Sequence, residues 1–456
     1  MSYLIVTSRC PITHEQSKGK ETVKENVGGV ATALRKLMQR EGGVWVCWGD
    51  GNLDSNYEVE DLGKYKIVRV ILNRTEKEGF YDEYSNGTLW PLFHYFRDRI
   101  KMSHSAFKAY RAVNEKFAEK ISKYIENDMI VWIHDYQLTL VPGMLREKGI
   151  ENVIVFTWHI PWVAGEFFAI LPESAQMIRS IASSDLVTFH TEVYLKNFLN
   201  SYRMLVGDSS ELEKKLMALP LGIDDAYYRM RRGKKMKREL LEGKKIIFSI
   251  DRLDYTKGLT NRVLAIENLL KRYPEYVGRF VYVMIVTPSR ITVPEYAMMK
   301  RELEMTIGRV NGEFGSISWF PIIYMYRKIS DRALVSYYRS ADVALITPLI
   351  DGLNLVSKEF VAASHSGVLI ISKFAGSAYD LKDALIVNPN DIDQVADSIV
   401  AAFRMTKEEI MRRLENMKRE VSEHNLFWWT AQISRVAEHI MGERSAERNQ
   451  GEIRYS

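Results

Sequence analysis

Lys245-Ile-Ile-Phe-Ser-Ile-Asp-Arg-Leu-Asp-Tyr-Thr-Lys-Gly258 is an apolar run that gives way to a short polar loop and a glycine, ahead of an amphipathic stretch over 260–272. An apolar run of this length bounded by a turn signal predicts a buried strand, and its continuation into a helix predicts one βα step of a parallel sheet. In open α/β sheets ligands sit beyond the carboxyl ends of the strands, which is where this loop falls. The loop carries Arg252 and Lys257, two fixed cations able to neutralise a departing diphosphate. Gly258 gives the backbone the freedom to turn before the helix.

The same alternation extends in both directions. Apolar runs at 4–7, 44–48, 67–72, 129–133, 153–158 and 186–189, separated by helix-length amphipathic stretches, predict one doubly wound domain. Runs at 245–250, 280–286, 317–320, 343–346, 368–372 and 385–387, with helices over 260–272 and 331–340, predict a second. The composition changes at Pro220-Leu-Gly-Ile-Asp-Asp225 and the basic stretch 229–237, so the crossing is expected at about 225–240. The expected organisation is an α/β chain with Rossmann-like domains at 1–228 and 229–424, an aromatic-rich helix over about 425–442, and a polar tail at 443–456.

A chain of 456 residues, 46% apolar and 27% charged, has the composition of an ordinary globular protein with more than one core. Its formal charge of +5 does not argue for a nucleic acid or a membrane surface, and the basic stretch lacks interleaved stacking aromatics, so a solvated helix face is expected there. Cys10 and Cys47 form no CxxC pair, which predicts neither a disulfide framework nor a zinc site and favours a reducing cytoplasm. The first residues read as a strand and lack the marks of a signal peptide. The greasy stretch 153–171 is interrupted by His159, Pro161 and Glu166, so no membrane span is expected.

Three further groups can carry chemistry. Gly28 and Gly29 in Asn26-Val-Gly-Gly-Val-Ala-Thr-Ala-Leu-Arg35 precede an amphipathic helix whose free amides can face a phosphate, although a plain tight turn accounts for the pair equally. They form neither the dinucleotide fingerprint nor a Walker loop. In Asp351-Gly-Leu-Asn-Leu-Val-Ser-Lys-Glu359, Asp351 can accept hydrogen bonds from sugar hydroxyls, Gly352 and the adjacent amides fall at a strand end, and Glu359 is placed like the acid that grips a ribose diol. Caps and surface charges are the plain alternative. Arg9, Tyr81, Trp90 and Arg290 suit a phosphorylated sugar, since arginine forks grip phosphate and aromatic faces cover sugar C–H surfaces; salt bridges and core aromatics explain any one of them alone. Asp391 and Asp393 look like a helix start and not a metal site.

Trp132-Ile-His-Asp-Tyr-Gln-Leu138, His159-Ile-Pro161, Arg252-Leu-Asp-Tyr-Thr-Lys-Gly258, Thr347-Pro-Leu-Ile-Asp-Gly-Leu-Asn-Leu-Val-Ser-Lys-Glu359 and Phe374-Ala-Gly-Ser377 resemble, in order and spacing, the trehalose-6-phosphate synthases, retaining glycosyltransferases of family 20. The similarity runs from about residue 1 to about 440. It implies the GT-B architecture, two facing Rossmann-like domains with the active site in the cleft and the last helix crossing back to the first domain. It also implies glucosyl transfer from a nucleotide-glucose, UDP-glucose first among them, to glucose-6-phosphate, with retention and an α,α-1,1 linkage. Carried over by position, the donor ligands would be Gly28, Gly29, His159, Arg252, Lys257, Asp351, Gly352, Leu353, Asn354, Leu355 and Glu359. The acceptor ligands would be Arg9, Trp45, Tyr81, Trp90, Asp135 and Arg290. Arg252, Lys257, His159 and Asp351 would lie nearest the chemistry, a front-side attack that needs neither paired carboxylates nor a metal or other cofactor. A homo-oligomer is compatible with this picture.

The chain departs from the family pattern at Trp162-Val-Ala-Gly165 and at Thr7-Ser8-Arg9-Cys10. A related synthase using glycerol-3-phosphate or a cyclitol phosphate is the neighbouring alternative. A silent sugar-phosphate sensor or regulatory subunit would be marked by loss of Arg252, Lys257 or Glu359, all of which are present. A nicotinamide dehydrogenase would need the glycine fingerprint that is absent.

Overall fold

The computed structural model describes residues 2–17, 19–25, 29–231, 243–289 and 294–455. The chain forms two compact units, Met1–Pro220 together with Phe427–Ser456, and Leu221–Leu426. The first unit contains β1 (Ser2–Arg9), β2 (Ile12–Ser17), β3 (Lys20–Glu25), β4 (Gly43–Trp48), β5 (Val59–Asp61), β6 (Tyr65–Val70), β7 (Met129–His134), β8 (Ile154–Thr157), β9 (Leu186–Phe189) and β10 (Leu216–Ala218). The second contains β11 (Lys245–Arg252), β12 (Phe280–Thr287), β13 (Ile322–Tyr326), β14 (Val343–Ile346), β15 (Val368–Ser372) and β16 (Leu385–Val387).

The first sheet has the order β10-β9-β8-β7-β1-β4-β6-β5, parallel except for β5 against β6. The second has the order β13-β12-β11-β14-β15-β16 and is parallel throughout. Helices cover both faces of such sheets, so the central strands read as unbroken apolar runs: every residue of β7 and β15 is buried. Strand order reverses beside β1 in one sheet and beside β11 in the other, the positions at which open α/β sheets bind ligands. The α/β class and two doubly wound domains read from the sequence describe this architecture.

Four expectations need correction. The run 317–320 is not a strand; Ser316 and Trp319 close an isolated bridge, Ile317 is fully exposed, and the strand starts after Pro321. Trp319 instead plugs the core from a turn, donating Nε1 to the Phe280 carbonyl at 2.6 Å. The first unit ends at Pro220 and not at 228, because Ile223 and Tyr228 already belong to the second core. The predicted polar tail continues the helix Leu426–Tyr455, and Arg444 holds it by donating to the Glu151 carbonyl at 2.9 Å and to Asp185.

The fourth correction concerns the cysteines. Cys10 and Cys47 form a disulfide with their Cα atoms 5.0 Å apart. β1 and β4 are adjacent parallel strands, and a register shift between Thr7 and Arg9 brings the residue after β1 beside Cys47. A separation of 37 residues hides this proximity in the sequence. The argument from unpaired cysteines to a reducing cytoplasm therefore falls.

Of the basic stretch 229–237, residues 232–237 lie outside the described residues. No described helix is long and apolar enough to cross a membrane. Trp162, one of the departures, fills the core between Phe93 and Phe198, with ring centroids 5.0 and 4.7 Å away, and donates Nε1 to Ser201 Oγ at 3.0 Å.

Candidate active site

In the second unit, β11 ends at Arg252, which is exposed, and the loop to Lys257 is built from below. Asp254 Oδ1 accepts from the Thr256 amide at 3.1 Å and its hydroxyl at 3.0 Å. Fully buried Arg262 pairs with Asp251 at 2.5 Å and donates to the Lys257 carbonyl at 2.9 Å and Thr347 Oγ1 at 3.1 Å. Gly258 has φ +62°, and a Cβ there would lie 2.7 Å from the Thr347 carbonyl oxygen, so both handedness and space require glycine.

The loop after β14 meets this one at the switch point. Lys257 Nζ lies 2.5 Å from Asp351 Oδ2, which also accepts from Asn354 Nδ2 at 3.1 Å. Asn354, itself left-handed at φ 73°, caps the helix Leu355–Ala363 through its Oδ1 and the Ser357 amide at 3.2 Å. The peptides of Gly352 and Leu353 are held by Phe374–Ser377: Ser377 donates its amide to the Leu353 carbonyl at 2.8 Å, and a Cβ on Gly376 would strike the Gly352 carbonyl. Glu359 follows one turn into the helix, accepts Tyr338 Oη–H at 2.8 Å, and also binds the Tyr228 hydroxyl. Burial raises its pKa against the lowering effect of the two phenols.

In the first unit the carboxyl ends of β1, β4 and β7 form a second group. Arg9 lies with its guanidinium 4.9 Å from the Tyr81 ring centroid and 5.9 Å from that of Trp48, and 3.8 Å from Asp50. Tyr81 sits on the π-helical segment Glu78–Leu89, whose continuation carries Trp90, its ring tilted by 35° against that of His94 with centroids 4.1 Å apart. Asp135 follows β7 with φ 75°, a strained value for a non-glycine residue; burial pushes its pKa up to about 7 despite backbone donors from Tyr136 and His159. His159 lies beyond β8, with its ring between those of His134 and His190.

The structure therefore gathers Arg252, Lys257, Asp351 through Leu355 and Glu359 at the carboxyl edge of the second sheet, and Arg9, Tyr81, Trp90, Asp135 and His159 at the carboxyl edge of the first. Gly29 opens the helix Gly29–Glu41, whereas Gly28 and Arg290 lie outside the described residues. Trp45 does not fit its expected role: its Nε1 donates to Thr7 Oγ1 at 2.8 Å and its ring lies near that of Tyr65, with centroids 6.3 Å apart. The tryptophan beside Arg9 and Tyr81 is Trp48, because alternation along β4 sends Trp45 and Trp48 to opposite faces. Trp48, Tyr228, Tyr338, His134 and His190 escaped the sequence reading. None carried a usable signal, since each is placed by contacts with residues far along the chain.

The model of glycosyltransferase family 20 matches residues 1–439. The chain is 39% identical over 459 residues to the bifunctional trehalose-6-phosphate synthase/phosphatase of Thermoproteus tenax, an alignment that covers 94% of this chain and 62% of that protein. A solved Escherichia coli structure described as bound with UDP-2-fluoro glucose has a TM-score of 0.87 at 31% identity, covering 96% of this chain and 99% of its own. The α,α-trehalose-phosphate synthase (UDP-forming) of Burkholderia xenovorans, solved in complex with glucose-6-phosphate, has a TM-score of 0.86 at 30% identity over 96% of this chain and 100% of its own. With two parallel α/β units, a cationic loop at one switch point and a match along nearly its whole length, the chain belongs to glycosyltransferase family 20.

Proposed function

We propose that the chain is an α,α-trehalose-phosphate synthase, a retaining glucosyltransferase that moves glucose from a nucleotide-glucose, UDP-glucose first among them, to glucose-6-phosphate. The observation that carries this reading is the Lys257–Asp351 contact at the switch point of the second sheet. A diphosphate reaching this loop takes Lys257 away from Asp351 and leaves that carboxylate to accept hydroxyl hydrogens from the donor sugar. Glu359 takes the ribose diol in place of a tyrosine hydroxyl. Arg252 and Lys257 then face charge that grows as the anomeric C–O bond breaks, so they bind the transition state more tightly than the bound donor.

On the acceptor side Arg9 takes the phosphate, Tyr81 and Trp48 cover the sugar ring, and Asp135 accepts a hydroxyl hydrogen. The acceptor oxygen bonds to the anomeric carbon on the face the diphosphate leaves, and its proton passes to the departing phosphate oxygen. Holding both sugars in place supplies much of the rate. Because two side-chain cations take the leaving charge, we expect transfer without a metal; a rate that falls after chelation and returns with a divalent ion would reverse this.

The test is a matrix of UDP-, GDP- and ADP-glucose against glucose-6-phosphate, glycerol-3-phosphate and inositol phosphate, read by nucleoside diphosphate release and product mass. A disaccharide phosphate from glucose-6-phosphate alone is expected. Turnover only with another acceptor moves the chain to the neighbouring synthase reading, and no turnover with any pair supports the silent sensor.

A further inference from the structure

His134, His159 and His190 stand at the ends of three adjacent strands, β7, β8 and β9, and form a row. His134 Nδ1 is 3.0 Å from His159 Nε2, and His159 Nδ1 is 3.1 Å from His190 Nε2. Both ring nitrogens of His159 are thus engaged by imidazoles. Burial brings the pKa of His134 to about 3, and burial together with the two neighbouring rings holds His159 well below its usual value, so both rings are neutral.

A neutral imidazole has one N–H and one bare nitrogen, so such a row carries its protons in one of two directions. With His190 donating to His159, the row would end in an N–H at His134 Nε2, and that atom is buried without a hydrogen-bond partner among the described residues. In the opposite direction the row ends there in a bare nitrogen. An orphaned buried N–H is the rarer and less tolerated outcome.

Resting on the reading of His159 as a donor-sugar contact, we propose that His190 is a positioning residue for glucosyl transfer: its Nε2 accepts the Nδ1–H of His159 and holds that ring as the Nδ1–H tautomer. His159 Nε2 is then an acceptor, the polarity a sugar hydroxyl needs. A hydroxyl arriving at this nitrogen competes only with the His134 N–H, while the bond to His190 keeps the imidazole plane in place. The row is internal to the first unit, and the role assigned to it is to orient the sugar.

The test begins on the wild-type protein labelled with 15N-histidine, with His159→Asn used to assign the signal. A protonated Nδ1 and a bare Nε2 on His159 are expected; the reverse tautomer overturns the proposal without any variant. His190→Phe should then show averaged tautomers at His159 and lose about 10- to 100-fold in kcat/KM for the nucleotide-glucose. Its KM for glucose-6-phosphate should stay within about twofold of wild type, and His190→Gln, whose amide oxygen can accept the same N–H, should recover most of the loss. Wild-type donor kinetics in a folded His190→Phe protein overturn the proposal. The spectrum needs no substrate, so failure of the tautomer assignment is separable from failure of wild-type turnover, which would overturn the synthase reading instead.

Discussion

Lys257 Nζ and Asp351 Oδ2 lie 2.5 Å apart, and on the proposed reading that pairing sets what each does toward the donor. Replacing Arg252 or Lys257 with alanine should lower kcat by about 10²- to 10³-fold, the usual loss when a donor aimed at developing charge is removed. Circular dichroism of both variants should be unchanged, since Arg252 is exposed and Lys257 is not part of the apolar core; near-normal turnover would overturn the leaving-group role. Asp135 offers a pH test. Its carboxyl is protonated in the free protein below about pH 7 and charged above. If it accepts an acceptor hydroxyl, kcat/KM for glucose-6-phosphate should rise with pH through about 7, and Asp135→Asn should flatten that limb while lowering its plateau. Arg252, Lys257 and Asp351 stand out locally, each a cation or carboxylate in a loop after an apolar run, whereas Asp135 came only with the family resemblance. Trp45 and Trp48 were not distinguishable in that way, since the choice between them depends on which face of β4 meets the helices.

At the scale of elements, the loop after β11 works because three things hold it still: the Asp254 turn, the glycine at 258 and the Arg262 guanidinium beneath. Gly258→Ala should cost about 1–2 kcal/mol for the left-handed backbone alone, and the close Thr347 carbonyl adds to it. Its thermal midpoint and its kcat should therefore fall together, whereas Lys257→Ala should lower kcat alone. Arg262→Leu should be harsher, about 3–5 kcal/mol, because Asp251 is left buried without its cation; a calorimetric midpoint within a degree of wild type would refute this. Periodicity located these elements well where an apolar run was both long and buried. It failed at 317–320, where Trp319 alone is buried and the remaining apolar side chains point to solvent, and it passed over β2 and β3, a hairpin with one strand wholly exposed.

For the molecule as a whole, two cores predict two unfolding transitions, and only one of them contains the Cys10–Cys47 bridge. Closing a loop of this length contributes about 2–4 kcal/mol. Cys10→Ser should therefore lower the midpoint of the first unit's transition and leave the other in place, as read by scanning calorimetry; coincident shifts would mean that the units unfold together. The alternation of runs and helices already implied two parallel α/β units, because burial on both faces forces continuous apolar strands whatever the loops contain. The Arg252–Lys257 loop and the Asp351–Glu359 stretch were likewise readable, since each couples a strand end to a charged loop within a few residues. Contacts between residues far apart in the chain could not be read: the disulfide, the tyrosines on Glu359, the histidine row and the choice of Trp48 over Trp45. Each depends on strand order and register, and these are set by packing across the whole sheet and not by any local stretch.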